Sequence, residues 1–469
     1  MIFSSILFTF LFLPIVLGLH FIIPKRFRNL FILFTSLFFY AWGEQVLVLL
    51  MIGLVCINYV IGNIMSEFQK KNRERNSKIT LITGLIINLT ILGYFKYSHF
   101  SIDILSQLGL NLDISKITLP IGISFFTFQS LSYLIDVYRK NIVVEKNLIN
   151  LGMYISLFPQ LVAGPIVRYA DISKEILNRN ISISQFKIGI TRFIVGFAKK
   201  VLIANNVGLI ADEVFAIAPD ELSTSLGWIG IICYSIQIYY DFSGYSDMAI
   251  GLGKMLGFNF NENFRHPYMS KSIREFWRRW HISLSSWFKD YLYISLGGNR
   301  KGKYWTYANL LIVFFITGLW HGASWNFIVW GMFHGLFLII ERFNITPSFF
   351  KLNIFSRVYT LLVVMIGWVI FRAENLELGI HYITKLFSFT SGSNNYPYIF
   401  INNFVLANLL IGIVFSFPVR KLIARKTNSF LKNTILVDFL NYSFYILLFI
   451  FSITELAHST YNPFIYFRF

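Results

Sequence analysis

The sequence predicts an all-α polytopic membrane protein of about eleven transmembrane helices, with interfacial and re-entrant segments between them. Three observations carry this reading. Of 469 residues, 55% are hydrophobic, 18% aromatic and only 14% charged, far more apolar than a soluble chain of that length requires. Apolar windows near 2–23, 27–43, 46–65, 79–95, 117–137, 147–165, 184–206, 225–250, 306–321, 325–341, 357–373, 403–419 and 436–456 approach the length of a bilayer crossing, and the short or interrupted ones reduce the expected number to about eleven. The basic residues behind the net charge of +18 lie in short clusters between these windows. That is the pattern of positive-inside topology and anionic-lipid contact, not of a nucleic-acid face, so nucleic acid is excluded as a partner and membrane lipid is expected.

The first window, 2–23, has no basic residue before it and Lys25-Arg26-Phe27-Arg28 after it, which reads as a membrane helix and not as a cleaved leader. That cluster and Lys70-Lys71-Asn72-Arg73-Glu74-Arg75 bracket two windows joined by a tight turn at Gly43-Glu44. Both are therefore expected on the cytoplasmic side, with the N-terminus outside. No internal repeat is visible, and the polar stretches 259–305 and 374–400 are too small to fold as soluble domains. Residues 1–469 read as a single membrane-embedded domain. Cys56 and Cys233, both in apolar segments, provide neither a disulfide framework nor a cysteine metal site, and no metal ligand set is expected.

Within 119–139, Pro120 and Gly122 break helical regularity while Gln129 and Asp136 add polar groups. In 158–165, Pro159, Gly164 and Pro165 interrupt an apolar run around Gln160. Irregular backbone at membrane depth is tolerated where it lines a cavity or is covered by protein, although a simple kink explains Pro and Gly equally well. The run 239–248 places Asp241 and Asp247 in apolar sequence, where carboxylates need partners; they either orient a site group or tie two helices together. Taken as one helix, 271–303 puts Phe276, Trp277, Trp280, Leu284, Trp287, Phe288, Tyr291 and Leu292 on one face and Arg274, Arg278, Arg279, Ser283, Ser285, Ser286 and Lys289 on the rest. This suits a helix lying in the membrane interface, with His281 at the margin of its apolar face. The three arginines either dock on lipid headgroups or bind a substrate.

The stretch 312–326 sets His321 in apolar sequence. An intramembrane histidine is a functional-site hypothesis by default. The alternative is packing: Gly318 and Gly322 form a small-xxx-small pair, and His321 could hydrogen-bond across such a contact. The sequence has no G-x-S-x-G, H-E-x-x-H, P-loop or dinucleotide fingerprint, which removes support for hydrolase, metalloprotease and ATPase readings.

The runs Phe158-Pro-Gln-Leu-Val-Ala-Gly-Pro-Ile-Val-Arg168, Tyr240-Asp-Phe-Ser-Gly-Tyr-Ser-Asp-Met-Ala-Ile250, Arg274-Glu-Phe-Trp-Arg-Arg-Trp-His-Ile-Ser-Leu284, Gly318-Leu-Trp-His-Gly-Ala-Ser-Trp-Asn326 and Tyr461-Asn-Pro-Phe-Ile-Tyr-Phe-Arg-Phe469 together resemble the membrane-bound O-acyltransferase superfamily, in particular its bacterial branch of alginate O-acetyltransferase membrane subunits. By that resemblance His321 matches the central catalytic histidine and His281 the second polar position. It further implies a multi-helix body around a central tunnel in the bacterial cytoplasmic membrane. The donor would be cytoplasmic, with acetyl-CoA as a substrate and no permanently bound cofactor. The acetyl group would pass to an extracytoplasmic acetyltransferase-like partner that decorates a polysaccharide. A related branch carries D-alanine to teichoic acid from a carrier-protein thioester.

A thioester reacting with a hydroxyl needs a base, stabilisation of oxyanion charge and exclusion of water. His321 suits the first task, with Ser324 and Asn326 as polar helpers and Asp241 and Gln160 as tunnel or substrate-binding groups. A polysaccharide transporter or flippase would also show broken helices and intramembrane Asp and His, but with internal repeats that are not seen here. A scaffold for an export complex is a third reading, separable by an acyl-transfer assay.

Overall fold

A computed structural model describes residues 2–110, 117–162, 164–218, 220–343, 353–389, 401–419 and 434–465. All regular structure in them is helical, with no strand among the described residues. The last four residues of the C-terminal run, 466–469, and part of the polar stretch 374–400 lie outside the described residues. Helix contacts group the chain into two units, Met1–Phe193 with Met248–Asn261, and Ile194–Asp247 with Glu262–Phe469.

In the first unit, α1 (Leu13–Ile22) follows a π-helical turn and ends where Ile23 turns extended before Pro24, as a residue preceding proline tends to do. Helices α2 (Arg28–Glu44) and α3 (Val48–Lys70) are joined by a 3₁₀ turn whose Gln45 has φ 44°; the expected reversal falls one residue later than Gly43-Glu44. Next come α4 (Glu74–Gln107) and α5 (Ile123–Tyr138). Nearly every residue of α5 is buried, including Gln129 and Asp136, the environment an all-round apolar helix requires. Its start depends on Gly122, which has φ 76° and lies so close to the Leu161 carbonyl that a Cβ would sit 2.6 Å from that oxygen.

Around Gln160 the expected break is real. Helices α6 (Leu148–Ser156) and α7 (Phe158–Leu161) part at Leu157. The Phe158 N–H donates to Ser36 Oγ (3.2 Å), and Gln160 Nε2 donates to the Tyr154 carbonyl (2.6 Å). The side chain thus satisfies an acceptor that the broken helix leaves open. Helices α8 (Tyr169–Leu177) and the first part of α9 (Ile183–Ala198) complete this unit with the end of α11 (Thr224–Leu256).

The second unit contains α10 (Asn205–Phe215), most of α11, α12 (Ile273–Trp277), α13 (Ile282–Trp287), α14 (Lys303–His321), α15 (Trp325–Arg342), α16 (Asn353–Arg372), α17 (Leu376–Leu386), α18 (Asn403–Phe415) and α19 (Thr434–His458). Helix α14 packs on α15, α15 on α16, and α12 on both α15 and α16. At the α14–α15 crossing, a Cβ on Gly318 would lie 2.3 Å from the Phe327 carbonyl oxygen and one on Gly331 would lie 2.2 Å from that of Phe314. Gly318 therefore works with Gly331. Gly322 has a different task, capping α14 against the Phe327 ring.

The region 271–303 is not the single helix expected from its periodicity. Ser272 caps the five-residue α12 by accepting from the Glu275 N–H (3.0 Å), the chain turns at His281 (φ 43°, ψ 54°), and α13 runs into a π-helical stretch, Phe288–Tyr293. Seven of the eight apolar assignments, Phe276, Trp277, Trp280, Leu284, Trp287, Phe288 and Tyr291, are buried, and the eighth, Leu292, is half-buried. Ser283, placed by periodicity on the polar side, is buried as well, because the break at His281 resets the helical phase.

Among the described residues, five helical runs are long and apolar enough to cross a membrane: Lys25–Lys70, Glu74–Gln107, Ile183–Phe215, Asn353–Arg372 and Val437–His458. Phe8–Ile22 and Asn403–Phe415 are shorter apolar helices. By this measure the count of about eleven is not reached. The windows 117–137 and 147–165 hold helices of only 16, 9 and 4 residues; at about 1.5 Å per residue even the longest is short of a hydrocarbon core of about 30 Å. Exposed large apolar side chains such as Phe34, Leu49, Ile86, Phe439 and Phe451 cover the outer faces of these runs, as lipid contact requires.

A paired-histidine aromatic cavity as the candidate active site

His321 is the last residue of α14, where the Gly322 N–H turns back to the Gly318 carbonyl (3.3 Å). Its ring is packed by Trp320, Trp330 and Phe371 at centroid distances of 4.8, 4.9 and 5.2 Å, and only 7% of the residue is exposed. It lines a small apolar cavity with Ile238, Phe242, Trp280, Trp330, Trp368, Phe371 and Ile465. These residues come from α11, the α12–α13 turn, α14, α15, α16 and the C-terminal segment.

His281 reaches the same neighbourhood. Its ring lies 4.6 Å from that of Phe242 and 6.1 Å from Trp320, so both histidines contact one indole. The left-handed turn that presents it is held by Asn263. The Asn263 carbonyl accepts from the Ile282 N–H (3.0 Å), and its side-chain oxygen accepts from the Ser283 N–H (3.2 Å) and hydroxyl (2.9 Å). Its amide donates to Ser246 Oγ (3.0 Å). Because the Ser283 backbone can only donate, the Asn263 oxygen is an acceptor, and His281 Nδ1, 3.2 Å away, is the donor. The proton therefore sits on Nδ1 and the lone pair on Nε2. Burial disfavours the imidazolium and lowers the His281 pKa to about 3, so the ring is neutral at physiological pH.

Asp241 forms a fully buried ion pair with Lys200 at 2.8 Å. It also accepts from the Ile465 N–H (2.9 Å), while Lys200 donates to Asn205 Oδ1 (2.7 Å) and to the Pro463 carbonyl. Asp241 thus fixes the C-terminal segment whose Ile465 forms one wall of the cavity. The second carboxylate, Asp247, pairs with Lys199 at 2.6 Å.

Asn326, in the first turn of α15, donates to the Ala373 carbonyl (2.7 Å), joining α15 to the end of α16. Ser324 is the N-cap residue of α15 and is half-buried, with no capping bond from its side chain. Gln160 belongs to the first unit, where it caps Tyr154.

The three arginines differ. Arg279 is engaged by Glu275 (2.9 and 2.7 Å) and the Arg265 carbonyl, the Arg274 N–H donates to Glu341 (3.1 Å), and the Arg274 and Arg278 side chains are exposed. Among the described residues no group of three or more His, Cys, Asp or Glu is arranged to hold a metal ion.

Several contributors carried no sequence signal of their own: Asn263, Lys200, and Trp330, Trp368 and Phe371 of the aromatic wall; Phe242 and Ile465 lie in the resembling runs but were not singled out there. Asn263 lies in an ordinary polar loop. The aromatic residues are indistinguishable by pattern from core positions. Their relevance emerges only when separate helices converge.

An all-helical, membrane-type chain with one histidine lining an apolar cavity and a second on the same tryptophan has the form of a membrane-embedded transferase. Residues 61–374 match the membrane-bound O-acyltransferase family. The protein named "Probable alginate O-acetylase AlgI" of Pseudomonas aeruginosa is 47% identical over 397 residues, covering 83% of this chain and 75% of that one. Its namesake in Pseudomonas putida is 42% identical over the full length of both. A peptidoglycan O-acetyltransferase of Helicobacter pylori is 35% identical, covering 80% of this chain and 78% of that one. The chain belongs to the membrane-bound O-acyltransferase family. It is a multi-pass membrane protein and an O-acyltransferase.

Proposed function

We propose that the chain, acting as one acyltransferase domain in the bacterial cytoplasmic membrane with its N-terminus outside, passes an acetyl group from cytoplasmic acetyl-CoA through a central tunnel for O-acetylation of an extracytoplasmic polysaccharide. The observation that carries the reading is His321 at a helix end inside an aromatic cavity, with His281 on the same Trp320. The acetyl specificity is supported by relatives named for O-acetylation of alginate and peptidoglycan. In this reading His321 takes the proton of the acceptor hydroxyl as its oxygen attacks the thioester carbonyl. The C–O bond forms, the C–S bond breaks, and the proton passes to the departing thiolate. The apolar wall excludes the water that would hydrolyse the thioester. His281, neutral and held through Nδ1, keeps an Nε2 lone pair directed by a fixed turn.

Asp241 orders the cavity wall, Asn326 and Ser324 position the start of α15, and Gln160 supports the broken helix in the first unit. Arg274 and Arg278, exposed, together with Arg279, attract the donor phosphates. The acceptor is completed by an extracytoplasmic acetyltransferase-like partner, so that only the small acyl group crosses the bilayer.

The test expresses the chain in a host that makes the unmodified polymer but lacks extracytoplasmic acetyltransferases, with and without a candidate partner, and measures polymer O-acetyl content. Acetylation that requires both proteins is expected. Full acetylation without any partner contradicts the relay. In parallel, cysteines introduced at Ser77 and Ser272 are expected to resist impermeant external thiol reagents; because Ser77 is buried, the half-buried Ser272 position decides, and its efficient labelling in intact cells overturns the topology.

A further inference from the structure

The first unit holds a second polar arrangement, none of whose residues lines the histidine cavity. Arg28 opens α2, and Arg179 lies in the connection between α8 and α9. The residue beside Arg28, Asn29, accepts from Arg179 Nη2 and donates to the Ile176 carbonyl (2.9 Å) and Asn150 Oδ1 (2.7 Å). Arg28 Nε donates to the Ile23 carbonyl (3.2 Å), and the Arg179 guanidinium lies 4.6 Å from the Phe258 ring centre. Both arginines are half-buried. Arg179 Nη1 is buried with no hydrogen-bond partner among the described residues. Nearby, His20 is fully buried, feels the charge of both arginines, and has neither ring nitrogen hydrogen-bonded among the described residues.

These cations are not balanced by acid. Among the described residues no carboxylate is ion-paired with Arg28 or Arg179. The carboxylate reached through the hydrogen-bond chain is Glu145, two amides away through Asn29 and Asn150. It already accepts from the Tyr169 hydroxyl (2.6 Å) and the Asn147 N–H (2.8 Å). Burial first, and the charge of Arg28 second, lower the Arg179 pKa to about 10, which still leaves it cationic at neutral pH. Two guanidinium groups that feel each other's charge and whose hydrogen-bond and ring partners are all neutral form an uncompensated cationic site that an anion would complete. A phosphate matches the planar donors of arginine and can accept from several at once. Exposed Lys25 and Arg26 adjoin the site in sequence, at the end of an apolar helix, where anionic headgroups concentrate.

We propose that Arg28, held by the Ile23 carbonyl, and Arg179, held by Asn29, bind a phosphate group, carried either by an anionic lipid headgroup or by a soluble phosphorylated ligand such as coenzyme A. The full chain would be reconstituted in nanodiscs of phosphatidylcholine with or without phosphatidylglycerol. Lipid retention would be read by native mass spectrometry and coenzyme A binding by calorimetry. For the double variant Arg28→Gln/Arg179→Gln, a loss of roughly tenfold or more in affinity is expected, with Arg28→Lys/Arg179→Lys losing less. A loss confined to phosphatidylglycerol assigns the site to lipid, and a loss confined to coenzyme A assigns it to a soluble phosphate. Unchanged binding of both overturns the proposal. Should the double variant not fold, the single Arg28→Gln decides, because wild-type binding of both probes by that variant equally overturns it.

Discussion

His321 and His281 meet around one tryptophan yet are held by opposite means. His321 ends a 19-residue helix, and rings on three sides fix its place. Its position follows from helix packing, in which Gly318 and Gly331 let α14 and α15 approach until backbone nearly touches backbone. His281 sits in a left-handed turn between two short helices, and hydrogen bonds to Asn263 define both its backbone and its tautomer. The packed histidine should be sensitive to added volume, whereas the bonded one should be sensitive to lost polar partners.

The largest effect is expected on the packed side. Gly331→Val forces a branched side chain where even a Cβ meets the Phe314 carbonyl at 2.2 Å; destabilisation of about 3 kcal/mol or more is expected. Thermal unfolding in detergent would read this, and an unchanged midpoint would break the packing account of His321. Asn263→Ala comes next. It removes the acceptor for Ser283 and His281 and should cost about 2–3 kcal/mol, with a fall in kcat exceeding any change in donor KM. A variant with normal turnover would show that the orientation of His281 does not matter to transfer.

Acid tests the bonded site in a second way. With His281 near pKa 3 when folded and about 6.5 when unfolded, the unfolded chain binds the extra proton between those values. Its contribution is therefore intact above about pH 6.5 and lost as pH falls toward 3, at up to about 1.4 kcal/mol per pH unit. His281→Gln should flatten the wild-type dependence of the melting midpoint between pH 7 and 5, and identical slopes would contradict the buried neutral ring. The smallest effect is expected for Arg279→Gln. Its pair with Glu275 is about one-third exposed on both sides (34% and 32%), and a loss of no more than about 1 kcal/mol is expected. Donor KM in the Arg274, Arg278 and Arg279 triple variant then tells phosphate attraction from lipid anchoring.

This contrast also explains what the sequence made legible. Apolar periodicity is local, so the helices around His321, the break near Gln160 and the buried residues of 273–291 were legible, whereas the partner of Gly318 was not, since Gly331 on the next helix takes the place expected for Gly322. Burial of His281 was only half visible, because the turn that inverts it depends on Asn263, eighteen residues away and joined through side-chain bonds that leave no periodic trace. The Asp241–Lys200 pair was missed for the same reason. A carboxylate in apolar sequence announces that it needs a partner, but not which cation will reach it. Window length alone does not distinguish a spanning helix from short buried helices separated by Pro and Gly, so the windows 117–137 and 147–165 do not each correspond to one long helix.

The central claim is that His321 performs chemistry and does not merely pack. The most direct measurement supplies labelled acetyl-CoA to purified wild-type protein and His321→Ala, reconstituted with an acceptor and partner, and compares transfer rates at matched, folded protein. A loss of about 10²–10⁴ with an unchanged melting midpoint is predicted. Transfer by His321→Ala at the wild-type rate would contradict the account and reduce His321 to one more ring in an aromatic wall.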